Sequence, residues 1–219
     1  MPAEFLYNLT KNLSVHLQHK LCSVLPLKEL YDMKLLLRCA DLQDAAALLD
    51  IYAYYVKYTA ISFEYDVPDE AEFAERMRKI SAKYPYIVAE TEGRVVGFAY
   101  AAPFSDRSAY DWSAELTVYA HKDYQKCGIG GLLYSELEKA LGKMGVTNLY
   151  ARIAVPETED KYLTDNSLGF HKHLGYSVAG RFHKCGYKFS TWYDMVYVEK
   201  IIGSHFTKQE DITYFCDIK

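Results

Sequence analysis

The chain has 219 residues, half of them hydrophobic, with 25 Lys+Arg against 29 Asp+Glu for a formal net charge of −4. Such a composition fills a globular core and excludes a disordered chain or a stapled mini-protein. The charge balance argues against a nucleic-acid coat or a polybasic membrane binder, so neither nucleic acid nor membrane is expected as a partner.

Five cysteines lie far apart, at 22, 39, 127, 185 and 216, with no CxxC pair. That pattern reads as free thiols in a reducing compartment rather than a disulfide frame or a zinc ribbon. No apolar run approaches the roughly 20 residues that span a bilayer. Asn12, His16, Gln18, His19 and Lys20 break up the N-terminal apolar residues, which is unlike a signal peptide. The expected location is cytoplasmic.

Residues 1–32 form the first unit. Leu6, Leu13, Leu17, Leu21 and Leu25 fall at helical spacing, so the segment is predicted as an appended amphipathic helix interrupted by Pro26. Residues 33–202 form the second unit, an α/β (α+β) domain. Leu35–Cys39 reads as a strand. Asp41 and Asp44 are candidate N-caps for a helix carrying Ala45, Leu48, Leu49, Tyr52, Tyr55 and Val56. Pro68-Asp69 opens a second helix with Phe73, Met77 and Ile80, ended by Tyr84-Pro85. Residues 86–89 and 94–100 around Glu92-Gly93 read as a β-hairpin. Strands follow at 115–119 and 149–155, separated by a glycine-rich turn and a helix with Leu132, Leu133, Leu137 and Leu141. A short helix from Asn166 to Leu174 ends at Gly175, and strands at 176–182 and 192–198 close the domain. The expected architecture is a mixed, mostly antiparallel twisted sheet of about six or seven strands with about four flanking helices. Residues 203–219 are polar and read as a peripheral C-terminal tail.

The strongest chemical signal is Gln125-Lys126-Cys127-Gly128-Ile129-Gly130-Gly131, set between a strand and a helix. Glycine lets the backbone approach a ligand closely, and a helix start offers unpaired N–H groups and a positive dipole end. The combination suits a phosphate or pyrophosphate, although a strand-to-helix turn of this kind also serves as a plain tight connection. Neither the P-loop nor the dinucleotide fingerprint is present.

Q-x-x-G-x-G opening a helix directly after a strand resembles the acyl-CoA pyrophosphate loop of GCN5-related N-acetyltransferases (GNAT), whose element order the rest of the domain also follows. Asn166, Ser167, His171, Gly175 and Tyr176 resemble that family's Asn/Ser…His-x-x-x-Gly-Tyr pattern. Residues 107–115, Arg-Ser-Ala-Tyr-Asp-Trp-Ser-Ala-Glu, followed by Thr117-Val118-Tyr119, resemble the phosphinothricin and methionine sulfone/sulfoximine N-acetyltransferase branch. Gly186-Tyr187-Lys188, Trp192-Tyr193-Asp194, Ile51-Tyr52 with Tyr55-Val56, and Ser62-Phe63-Glu64 are similar to that branch as well. The resemblance runs from Lys34 to Lys200 and leaves both ends uncovered.

The resemblance implies direct transfer of acetyl from acetyl-CoA, as co-substrate, to an amine. An α-ammonium has no lone pair, so a base must take its proton, and Glu115 is the candidate; by itself it also reads as a solvated strand glutamate. His171 occupies the position where many relatives place a tyrosine and this branch a histidine. It is the candidate acid for the departing thiolate, or else a packing histidine. Thr117, Val118 and Tyr119 are expected to line the pantetheine. Gln125, Lys126, Cys127, Gly128, Ile129 and Gly130 are expected to cradle the pyrophosphate, and Asn166 and Ser167 to hold the pantetheine arm. Phe63, Arg107 and Tyr110 are expected at the acceptor, with Arg107's fork suited to a carboxylate, or else a surface charge. No metal is expected, because His171 and His173 point about 200° apart on a helix.

The implied function is N-acetylation of a small amino acid or analogue, phosphinothricin-like or methionine-sulfone-like, by a homodimer. The alternatives are another amine (a polyamine, an aminoglycoside or a protein N-terminus) or a non-catalytic acyl-CoA-binding module. Residues 158–164 look longer than in close relatives, which puts the inherited acceptor in question.

Overall fold

Short runs of apolar and aromatic residues, cut by turn residues, build a single sheet. The computed structural model describes residues 5–6 and 34–218. Its strands are β1 (Phe5–Leu6), β2 (Leu36–Cys39), β3 (Tyr86–Thr91), β4 (Arg94–Pro103), β5 (Ser113–Ala120), β6 (Asn148–Val155), β7 (Ser177–Lys188) and β8 (Thr191–Ile201). They form one eight-stranded sheet in the order β1-β2-β3-β4-β5-β6-β8-β7. Every neighbouring pair is antiparallel except β5–β6. Helices α1 (Ala45–Tyr58), α2 (Glu70–Ser81), α3 (Ile129–Met144) and α4 (Asn166–His173) flank it.

The mixed, mostly antiparallel sheet with four helices is the architecture the sequence predicts. Phe5 and Leu6 form a strand paired with Leu37 and Leu36 rather than part of the expected helix, because the open edge of β2 takes them up; the rest of that expected helix lies outside the described residues. Asp41 caps a one-turn 3-10 helix, Leu42–Asp44, through a capping box. Asp44, the second expected cap, makes no side-chain cap bond to α1. Its carboxylate instead takes both terminal nitrogens of Arg38, at 2.7 and 2.8 Å. Glu92 and Gly93 both take positive φ, which suits the tight β3–β4 hairpin.

Strand alternation gives the sheet two faces. On one, Leu133, Leu137 and Leu141 of α3 pack against Ala99, Ala101, Leu116, Leu149, Ala151, Ile153, Val196 and Val198. On the other, Leu48, Ile51, Tyr52, Tyr55 and Val56 of α1, with Phe73 and Met77 of α2, pack against Tyr86, Val88 and Phe98. The C-terminal tail is more embedded than its polarity suggests. Ile212, Phe215 and Ile218 pack on the α3 side, Thr213 N–H donates to Met144 O, and Phe215 N–H donates to Lys83 O.

Candidate active site

The sheet opens in its middle. β5 runs to Ala120 and β6 to Val155, yet they pair only from Ser113–Asn148 to Glu115–Tyr150. Beyond that point β5 keeps β4 on one side, with Tyr100 opposite Thr117, Ala99 opposite Val118 and Phe98 opposite Tyr119. Its other edge has no strand neighbour. A strand edge in the centre of a sheet needs partners for its N–H and C=O groups, and along the wedge between β5 and β6 no strand supplies them. Thr117, Val118 and Tyr119 lie on this stretch of β5.

The wide end of the wedge meets the glycine loop. Lys126 (φ 60°) and Gly128 (φ 80°) both take left-handed backbone, and Gly128 stands at the N-terminus of α3. This turn aims the first N–H groups of a 16-residue helix outward. Gln125, Lys126 and Gly128 are exposed, Cys127 and Gly130 half-buried and Ile129 buried. The Gln125 side chain does not reach toward the loop's mouth: Nε2 donates to the Tyr55 hydroxyl at 3.1 Å, and that hydroxyl donates to Ala120 O. Gln125 therefore ties the loop to α1. Gly130 lies against Phe170 of α4, where a Cβ would stand 3.2 Å from the ring. Asn166 opens α4 and is exposed, with Ser167 half-buried behind it.

At the closed end of the wedge stands Glu115. Its Oε1 accepts from Arg152 Nε at 2.7 Å, with the glutamate side chain 14 % and the arginine side chain 58 % exposed. Sequence reading missed Arg152. Alternation along β6 buries Leu149, Ala151, Ile153 and Val155 on the α3 face, which puts Arg152 on the opposite one, with Tyr197 of β8 directly across. Burial opposes the Arg152 charge, but Glu115 outweighs it and raises the guanidinium pKa.

His171 is 4 % exposed. Its Nδ1 lies 2.7 Å from Ser167 O and its Nε2 2.8 Å from the Tyr134 hydroxyl. A carbonyl only accepts, so Nδ1 carries the proton. In the neutral ring Nε2 then accepts from Tyr134. Burial lowers the His171 pKa, partly offset by the Ser167 bond, which favours that neutral form. The Tyr134 hydroxyl also lies 3.5 Å from Leu116 O, so it stands between His171 and β5. Burial pushes its pKa well up.

The acceptor residues divide. Tyr110 packs on Phe104, whose ring lies 4.5 Å from Tyr150 and 6.1 Å from Tyr197, so Tyr110 extends an aromatic wall on the Arg152 side. Phe63 stacks on Tyr193 at 6.4 Å and lies flat on Gly186, where a Cβ would come within 2.1 Å of its ring. Arg107 is exposed just before a 3-10 turn, Ser108–Tyr110, and pairs with no carboxylate among the described residues.

The Gly-x-Lys spacing is explained by the same strand. Gly186 and Lys188 share the buried face of β7. Lys188 is 3 % exposed, and its Nζ donates to Val56 O at 2.8 Å, Thr59 O at 2.9 Å and Ser62 O at 2.6 Å. It closes the C-terminus of α1, where carbonyls are unpaired and the dipole favours a cation. The 158–164 segment supports the same loop. Tyr162 O accepts from Ala60 N–H at 3.0 Å, and Asp160 accepts from the Tyr193 hydroxyl and from the N–H groups of Tyr162 and Leu163. Its Tyr162 ring stacks on Phe189 at 4.0 Å.

Residues 37–197 match the family described as Acetyltransferase (GNAT) domain. The chain belongs to the GNAT acetyltransferase family. It is 35 % identical over 159 residues to phosphinothricin N-acetyltransferase of Streptomyces viridochromogenes, covering 73 % of this chain and 83 % of that protein. It is 27 % identical to the L-methionine sulfoximine/L-methionine sulfone acetyltransferase of Salmonella typhimurium, covering 77 % and 95 %. Among solved structures, the Sinorhizobium meliloti GNAT phosphinothricin acetyltransferase in complex with AcCoA matches with a TM-score of 0.70 at 31 % identity, covering 76 % and 88 %. This GNAT protein is an acetyl-CoA-dependent acetyltransferase. Its wedge and its glycine loop present a strand edge without a strand neighbour and a helix N-terminus.

Proposed function

We propose that this protein acetylates the α-amino group of a small amino acid or analogue, of phosphinothricin or methionine sulfone type, with Glu115 as the base. The observation that carries the reading is the end of the β5–β6 ladder at Glu115, which sets a carboxylate where the wedge begins. The curated relatives include enzymes named for phosphinothricin and for methionine sulfoximine and sulfone.

Acetyl-CoA supplies the acetyl group. The outer edge of β5 at Thr117, Val118 and Tyr119 holds the pantetheine amides, with Asn166 and Ser167 on the α4 side. The N–H groups from Lys126 to Gly130 face the pyrophosphate. Glu115 Oε2 takes the ammonium proton, directly or through one water. Return of a proton to the leaving sulfur runs through Tyr134, because both His171 nitrogens are engaged and Nε2 faces only that hydroxyl. His171 is then a positioning residue, whose Nε2 accepts from the Tyr134 hydroxyl and fixes that ring, and Tyr134 recovers its proton from solvent. Phe63 and Tyr110 bound the acceptor space, and Arg107 serves acidic groups at its mouth.

A homodimer fits the outermost strand, β7, whose Val178 and Phe182 are exposed. The thiols at Cys39, Cys185 and Cys216 suit a reducing cytoplasm.

The test is CoA release from acetyl-CoA across phosphinothricin, methionine sulfone, methionine sulfoximine, free amino acids, polyamines, an aminoglycoside and short peptides. Turnover concentrated on the amino-acid analogues supports the reading. Turnover concentrated on polyamines, aminoglycoside or peptides replaces it.

A further inference from the structure

Among the described residues, Arg152 is the one cation that touches the proposed base. Its neighbours on β6 that face α3 are apolar and buried, while Arg152 projects onto the face shared by Tyr100, Glu115 and Tyr197. Helices α1 and α2 cover that face over β3 to β5. Over β6 and β8 it is lined by Tyr150, Tyr197 and Phe104. A half-exposed arginine here stands where the β5–β6 ladder ends, with its Nε on Glu115. No hydrogen bond among the described residues engages its two terminal nitrogens.

A paired carboxylate and guanidinium, side by side at the end of the β5–β6 ladder, is the mirror of a zwitterion. In a free α-amino acid the ammonium nitrogen and the carboxyl carbon are both bonded to Cα, at about 1.46 and 1.52 Å, and so lie about 2.5 Å apart. Whatever cation holds the carboxylate must therefore stand within a few ångströms of the base that receives the ammonium. Arg152, at 2.7 Å from Glu115, meets that demand, and its planar fork matches a carboxylate. Arg107 lies in an exposed loop with no tie to Glu115.

We propose that Arg152 is the specificity residue that binds the acceptor's α-carboxylate, so that the Glu115–Arg152 pair selects free α-amino acids over simple amines and peptidyl N-termini. This deepens the proposed function and rests on it. The ammonium is received at Glu115 as the carboxylate takes the arginine's terminal nitrogens. Arg107 is then left for an acidic group at the far end of the acceptor side chain.

The test compares methionine sulfone with its carboxamide, which keeps the amine and side chain and lacks only the carboxylate. Wild type prefers the acid. Arg152→Gln lowers kcat/KM for the acid by about 10- to 100-fold, the range for one lost charge-assisted contact, mainly through KM. It leaves the amide within about threefold, and Arg152→Lys recovers part of the loss. The amide is the internal control: an effect relayed through Glu115 would slow both acceptors alike. The acetyl-CoA KM and the melting temperature report that the variant is folded. An unchanged acid-to-amide ratio in Arg152→Gln, with wild type active on the acid, overturns the assignment and leaves the amino-acid reading standing. A wild type that turns over amines or peptides but no free amino acid overturns both.

Discussion

Replacing Lys188 by methionine removes one ammonium and strands three carbonyls. Val56 O would ordinarily receive the N–H of residue 60 in a continuing helix, but that N–H turns to Tyr162 O, which leaves Lys188 as its partner. The bonds to Val56 O and Ser62 O are buried, and that to Thr59 O is at a wetter edge. Each dry carbonyl left unpaired costs about 1–3 kcal/mol, so two cost about 2–6. Relief of the buried charge offsets part of this, and methionine fills most of the vacated volume. A net loss of about 3 kcal/mol results, which in a chain of this size lowers the melting temperature by about 6–12 °C. The carbonyls lie on the loop that carries Phe63, not on the glycine loop. The KM for the acceptor therefore rises while that for acetyl-CoA holds. Thermal unfolding and two-substrate kinetics measure both. A melting point within 2 °C of wild type, or equal changes in both KM values, would refute the assignment of Lys188 as the clamp of the acceptor loop.

Gly128→Ala forces a side chain onto left-handed backbone at the start of α3, a cost of about 1–2 kcal/mol; acetyl-CoA binding by calorimetry should weaken more than acceptor binding. Gly186→Ala drives a methyl into the Phe63 ring and should cost about 1–3 kcal/mol in urea denaturation, with a raised acceptor KM. Burial depresses the His171 pKa. Below the unfolded value of about 6.5 the unfolded chain takes up a proton that the folded chain refuses. Stability therefore falls as pH drops from about 6.5 toward the folded pKa, and His171→Gln should flatten that part of the curve of melting temperature against pH.

Most of the fold was legible because its periodicities are unbroken. Leu133, Leu137 and Leu141 mark α3, and residues 94–100 mark β4. The glycine loop was legible because its residues are contiguous. What escaped the sequence depends on contacts across the sheet. Arg152 sits in an apolar strand, and its meaning comes only from the parallel register that sets β6 beside Glu115. Tyr134 reads as one more apolar position on α3 until His171 Nε2 is found against its hydroxyl. Lys188 was noticed as part of a motif, but its three acceptors lie more than a hundred residues away in sequence. Gln125 shows the reverse: a residue assigned to the ligand holds the loop to α1 through Tyr55.

In the proposed reaction Glu115 removes the acceptor's proton. Glu115→Gln keeps the size of the side chain, and its amide oxygen can still accept from Arg152, so the cleft survives. The decisive measurement is turnover of methionine sulfone by this variant, alongside its affinity for acetyl-CoA. Loss of a positioned base predicts a fall in kcat of about 10²- to 10⁴-fold, with acetyl-CoA affinity within about twofold of wild type. A variant that retains kcat within a few-fold would contradict the account and move the proton to another group.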